Sequence, residues 1–177
     1  MDRVEALLIG GRAGVGKTTV GWEVSAQLAA AGVAHAHIEG DMIGQVHPAP
    51  AGDPDRVDVT ERNLAAIWGN YALLGCCRLV YTRTLSVLPE YGEMIQRALT
   101  GEARLIRVLL TASDATAIDR LTRREQGSRL EAELQTTAQK APMLEARAHS
   151  GTIRVSTDDR SVIEIAKDVV AASGWLE

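Results

Sequence analysis

The chain has 177 residues, 46% of them hydrophobic, which is enough for one domain with a substantial core and argues against two. Nineteen Lys and Arg against 23 Asp and Glu leave a formal charge of −4 with both signs mixed along the chain, which argues against a general nucleic-acid binder. Phe is absent and aromatics make up 3%, so the core falls to Ala, Val, Leu and Ile, and stacking platforms for single-stranded nucleic acid are scarce. Adjacent Cys76 and Cys77 would be strained as a mutual disulfide and have no other partner, so a reducing, cytoplasmic setting is expected. No run reaches transmembrane length, and the short apolar stretch at the start flows into a glycine-rich loop rather than a cleavage site.

Short apolar runs alternate with longer amphipathic ones, which predicts a parallel α/β domain over 1–177. The first strand is expected at 4–9, followed by a helix at 17–31 with Val20, Val24, Leu28 and Ala31 on one stripe and Gly32 at its stop. A second strand at 34–38 leads to 47–58, whose Pro, Gly and Asp exclude regular structure and make it a candidate substrate loop. Next come a helix at 60–74, a strand at 78–82, a loop at 83–88 and a helix at 89–99 with Pro at its start. A fourth strand at 104–110 precedes a helix capped by Ser113 or Asp114 and running to about 125, with a break at 126–129 through Gly127 and Ser128. A helix at 131–149, a fifth strand at 152–156 and a helix at 161–172 close the chain, with no internal repeat and no interdomain linker.

Gly11, Gly16, Lys17 and Thr18 complete G-x-x-x-x-G-K-[ST] between the first strand and its helix, the context of a phosphate-binding loop. Over Gly11, Arg12, Ala13, Gly14, Val15, Gly16, Lys17, Thr18 and Thr19, backbone N–H groups and a helix N-terminus can surround an anion while Lys17 adds charge. Ligands of open parallel sheets bind beyond the carboxyl ends of the strands. There, after the second strand, lie Glu39 and Asp41, a pair able to hold Mg²⁺ and to accept a hydroxyl proton, or merely to end the strand as an acidic turn. Arg120 and Arg124 share a helix face and can converge on one polyanion, or pair with Asp119 and Glu125. The third strand ends in Tyr81-Thr82-Arg83 without a carboxylate, and Arg83 sits where an acceptor's anionic or polar group could be gripped, or is simply solvated. His47, Arg62, Trp68, Tyr71 and Tyr91 are pocket candidates, each also readable as core or surface. Thr157-Asp158-Asp159 reads plainly as a cap for the last helix.

On these residues the chain resembles the small-molecule kinases of the P-loop class, the group of gluconate kinase, shikimate kinase, adenylylsulfate kinase and chloramphenicol phosphotransferase. The resemblance implies a three-layer P-loop NTPase fold, a five-stranded parallel sheet flanked by helices, with a short lid at about 126–135 and an acceptor region at about 42–75. It implies ATP and Mg²⁺ as cofactors and a small-molecule acceptor as partner. Lys17 then serves the β- and γ-phosphates, Thr18 the Mg²⁺, and Thr19 the α-phosphate side. Asp41 contacts the acceptor or acts as base, and Glu39 matches a second acid that is Asp in shikimate kinase. Arg120 packs over adenine, Arg124 and Arg129 belong to the lid, and 157–159 falls at the adenine-side loop. Metal binding rests on Thr18 with Asp41 or Glu39, and the acceptor on Asp41, Arg83, His47 and Tyr71. Two alternatives stand: a nucleotide-hydrolysing switch, on the D-x-x-G match Asp41-Met42-Ile43-Gly44, and a polynucleotide end-kinase, against the acidic balance. No membrane partner is expected, and a homodimer is compatible with the sequence.

Overall fold

The computed structural model describes residues 3–124 and 128–176. Five strands, β1 (Glu5–Gly10), β2 (Ala36–Glu39), β3 (Arg78–Thr82), β4 (Arg104–Thr111) and β5 (Ile153–Ser156), form one parallel sheet in the order β2-β3-β1-β4-β5. Six helices are described: α1 (Lys17–Ala30), α2 (Val57–Leu73), α3 (Pro89–Ala98), α4 (Asp114–Arg124), α5 (Ser128–Arg147) and α6 (Val162–Ser173). A parallel sheet covered on both faces needs apolar residues at every position of its central strands. In β1, Leu7 and Ile9 face α1 and α6 with Val20, Val24, Leu28, Ile165 and Val169, while Ala6 and Leu8 face α2 and α3 with Leu64, Trp68, Met94 and Ile95. Five consecutive residues, Ala6 to Gly10, are buried as a result, and emptying one such site, Leu7→Ala or Leu8→Ala, costs about 2–5 kcal/mol.

The connections bring the ends of β1, β2 and β3 together at the carboxyl edge of the sheet. β1 leads through the glycine loop into α1, and β3 pairs with β1 so that Ile9 lies opposite Thr82. β2 pairs with β3 so that Glu39 lies opposite the same Thr82. Glu39 is therefore the last residue of β2, which begins and ends later than the expected 34–38.

Local capping explains the other shifts. α2 starts at Val57, before the expected 60, because Asp53 reaches forward to accept from the Val57 N–H at 2.6 Å and the Val59 N–H at 3.0 Å. Burial pushes the Asp53 carboxyl up, yet these backbone donors outweigh it and hold it below its ordinary range. α6 is capped by Ser161, whose hydroxyl accepts from Glu164 N–H while the Glu164 carboxylate accepts from Ser161 N–H, a full capping box. Residues 157–159 are therefore not its cap, a correction to the plain reading of that acidic cluster. Of the expected break at 126–129, residues 126 and 127 lie outside the described residues, and at 128–129 it is corrected, since α5 already begins at Ser128 instead of 131.

Candidate active site

Left-handed glycines shape the phosphate loop. Gly14 has φ 88°, and a Cβ there would lie 2.4 Å from the carbonyl oxygen of Ala117, so α4 packs directly on loop backbone. Gly16 has φ 95° and nothing within 4 Å of a Cβ, which leaves its side of the loop open as a cradle ahead of α1. The loop residues differ in what they offer. Arg12 turns its side chain inward, donating to the Asp114 carboxylate and to the Ala112 carbonyl at 2.9 Å, so it can serve a phosphate only through its backbone. Ala13 is held from above, since buried Thr137 of α5 donates its hydroxyl to the Ala13 carbonyl at 2.9 Å.

Lys17 donates to the Arg12 carbonyl at 3.3 Å. Burial lowers its pKa; the Asp41 charge opposes that shift and the Arg124 charge adds to it, so all three groups share one electrostatic neighbourhood with Glu133 and Lys140 of α5. Thr18 donates its hydroxyl to Glu39 Oε2 at 3.1 Å. Burial pushes Glu39 up, but His37, Thr82 and Thr18 outweigh it, and the carboxyl stays below its ordinary range and ionised. Its Oε1, 3.5 Å from His37 Nε2, is enclosed without a hydrogen-bond partner.

Thr84, just past β3, joins the acid to the loop. Its carbonyl accepts from the Gly11 N–H at 3.2 Å, while its own N–H and hydroxyl donate to the Asp41 carboxylate, each at 3.3 Å to Oδ2. Exposed Asp41 is thereby fixed beside the phosphate loop, although β3 supplies no carboxylate. Arg83 lies half-buried next to it, its guanidinium 5.1 Å from the centre of the Tyr91 ring.

On the far side of the loop, Arg120 donates to the Val15 carbonyl at 3.4 Å, to Thr157 Oγ1 at 2.9 Å and to the Thr157 carbonyl at 2.8 Å. It bridges phosphate loop and β5–α6 loop instead of pairing with Asp119, which Arg123 takes at 3.0 Å. Asp158 accepts from the Ser113 N–H at 2.9 Å and ties the β5–α6 loop to the start of α4.

The structure thus brings together Gly11 to Thr19, Glu39, Asp41, Arg83, Arg120 and Arg124 around the carboxyl edge. Tyr71 does not join them: it lies near the end of α2, whose chain passes directly into the start of β3, and it packs against the core at the opposite, amino edge. Trp68 is buried in the same core, Arg62 is exposed, and His47 is exposed on the loop between β2 and α2. The Arg129 side chain lies outside the described residues. Gly44, the glycine of the switch-like match, packs under Thr60, whose hydroxyl would lie 2.4 Å from a Cβ there, which turns it into α2 and away from the phosphate loop. Thr84 and Thr137 carry no motif. Thr137 reaches a partner 124 positions away, so only the tertiary fold reveals it.

The donor set fits Mg²⁺ held with a nucleotide. A threonine hydroxyl and an ionised carboxylate are hard oxygen ligands, and Mg²⁺ commonly takes only one or two carboxylates with substrate phosphates completing its shell. Consistently, no cluster of three or more His, Cys, Asp or Glu able to hold a metal alone occurs among the described residues.

This arrangement of loop and sheet order is a fold shared with solved P-loop small-molecule kinases. The tunicamycin resistance protein of Deinococcus radiodurans superposes with a TM-score of 0.64 at 18% identity, covering 97% of this chain and 96% of that one. The gluconokinase of Sinorhizobium meliloti 1021 gives 0.58 at 21% identity over 99% and 95%, and the Mycobacterium tuberculosis APS kinase, solved with AMPPNP and APS, gives 0.59 at 20% over 97% and 98%. No protein-family model matches the chain, and no curated protein matches it in sequence. No helix among the described residues is long and apolar enough to cross a membrane.

Proposed function

We propose that the protein is an ATP- and Mg²⁺-dependent phosphotransferase that moves the γ-phosphoryl group to a hydroxyl of a small molecule in the cytoplasm. The observation that carries this reading is the clamp of Thr84 on Asp41, which sets a carboxylate in the electrostatic neighbourhood of Lys17 at the carboxyl edge of the sheet. A base positioned there takes the proton of the attacking hydroxyl as the oxygen meets phosphorus. The loop backbone and Lys17 orient the triphosphate and draw off its charge, Arg124 adds positive charge, and Arg120 presents a flat guanidinium between the phosphate loop and Thr157 for the base. Thr18 and Glu39 would hold the Mg²⁺, which neutralises charge on the β- and γ-oxygens when bound. The first turns of α5, with Arg129, form the lid that excludes water from the transfer. The structural neighbours named as kinases support the reaction class, and one of them was solved with an ATP analogue.

The test is ATP-to-ADP turnover across a panel of hydroxyl acceptors, comparing wild type with Lys17→Ala and Asp41→Asn. Lys17→Ala should nearly abolish turnover. Asp41→Asn should hold the affinity for a nonhydrolysable ATP analogue within a few-fold while kcat falls by about 10²–10⁴, the loss typical of a general base. Full transfer by Asp41→Asn would overturn the mechanism.

A further inference from the structure

Arg107 interrupts the apolar residues of β4 on the sheet face that α3 covers, between Leu105 and Leu109 and opposite Leu8 of β1. Its guanidinium reaches α3, where Gly92 makes room for it: a Cβ on Gly92 would lie 2.4 Å from Arg107 Nη2. Both residues break a local rule, since a glycine weakens the helix that contains it and a half-buried guanidinium gives up water. Nothing in the fold compensates. Among the described residues Arg107 has no hydrogen-bond acceptor, ion pair or ring partner, its Nε is enclosed, and burial alone acts on its pKa, lowering it. The acids on the flanking elements serve other arginines: Glu90 pairs with Arg147 at 2.6 Å, Glu145 pairs with Arg154 at 2.6 Å, and Glu93 acts on Arg97. A second polar group stands beside it. β4 and β5 pair with Val108 opposite Ile153, so the preceding position sets Thr152 opposite Arg107 on the same face of the sheet. Thr152 is 7% exposed, and its hydroxyl is enclosed without a partner, a costly state for a buried polar group. A guanidinium fork without a counter-ion beside a free hydroxyl is matched by an oxyanion.

We propose that Arg107 and Thr152 form a second oxyanion site, between α3 and the turn that enters β5, which takes the phosphate, sulfate or carboxylate group of a small ligand. The site is separate from the phosphate loop, because Arg107 lies in the middle of β4 and on the face turned to α3, whereas the loop leaves the sheet beyond Gly10 at its carboxyl edge. It is independent of the phosphotransferase reading. Its ligand is an effector that the reaction does not consume, and occupancy stabilises the folded state by supplying the charge that Arg107 lacks.

The test titrates the protein calorimetrically with inorganic sulfate at constant ionic strength, with AMPPNP and Mg²⁺ present to occupy the phosphate loop. Wild type should bind sulfate saturably, and Arg107→Met should weaken binding by about 10–100-fold, the range for losing charge-assisted hydrogen bonds, with a few-fold loss in Thr152→Val. Glycerol 3-phosphate and acetate in place of sulfate then assign the ligand: tighter binding of the first points to a phosphate ester, tighter binding of the second to a carboxylate. Absence of saturable sulfate binding by wild type would overturn the site. Equal affinity in Arg107→Met and wild type would also overturn it, by placing the anion elsewhere, whether or not the nucleotide binds. Should Arg107→Met not fold, Arg107→Gln takes its place, keeping a polar side chain without the charge, and wild-type affinity in that variant is the overturning result.

Discussion

Thr84 sits one hydrogen bond from the proposed base and one from the phosphate loop, so its chemistry is positional. Replacing it with Val removes the hydroxyl donor to Asp41 and keeps the N–H donor and the carbonyl acceptor for Gly11. Thr84→Val should therefore lower kcat by about ten-fold, less than Asp41→Asn, while the affinity for an ATP analogue holds. Steady-state kinetics beside calorimetry separates the two effects, and a fall in nucleotide affinity with kcat unchanged would contradict the assignment. Glu39 makes a different prediction. Because its neighbours keep the carboxyl ionised below its ordinary range, it stays available to a cation across neutral and mildly acidic pH. Glu39→Gln should raise the Mg²⁺ concentration for half-maximal turnover by about ten-fold or more, and an unchanged Mg²⁺ titration would remove it from the metal site.

At the scale of elements, the proposed adenine side hangs on one side chain spanning two loops. Arg120 of α4 is held by the Thr157 hydroxyl and carbonyl and by Val15, and Asp158 locks the same loop to Ser113. Thr157→Val should loosen Arg120 and raise the Kd for an ATP analogue by a few-fold without moving kcat at saturating nucleotide, as read by the same calorimetry. The elements themselves were legible from periodicity, since each apolar run at 78–82 or 104–110 has a strand's length and each amphipathic run a helix's. What misled was capping. Asp53 caps α2 from four residues away, so its start was expected too late, and Ser161 caps α6 by a reciprocal bond, so its cap was misread while its start was not. The phosphate loop was legible for a chemical reason, because anion binding demands glycines and lysine at fixed spacing, and the two acids at the end of β2 were legible from their place at the carboxyl edge. Thr84 and Thr137 were not, because a threonine that donates one hydrogen bond across the fold has no spacing to read. Tyr71 was misplaced for the complementary reason: residue type suggested a pocket wall, but its place on α2 puts it at the sheet's other edge.

For the molecule as a whole, the site is a local cost carried by the core. Lys17 is a half-buried cation beside a loop that presents N–H donors, and burial lowers its pKa from 10.5 even though Asp41 partly restores it. A lysine that binds its proton less tightly when folded than when unfolded makes stability rise with pH through the interval between its folded pKa and 10.5, and leaves the folded state penalised at neutral pH. A bound triphosphate reverses this penalty by supplying the missing negative charge. Lys17→Met, which keeps the aliphatic stem and removes the charge, should therefore raise the melting temperature of the nucleotide-free protein at pH 7, by about 2–4 °C for each kcal/mol recovered. The same variant should lose the rise in melting temperature that an ATP analogue with Mg²⁺ gives to wild type. Differential scanning calorimetry of both proteins, with and without the analogue, measures both effects. A lower melting temperature for ligand-free Lys17→Met would mean that the Lys17 charge stabilises the empty loop, and the stability cost assigned to this site would be wrong.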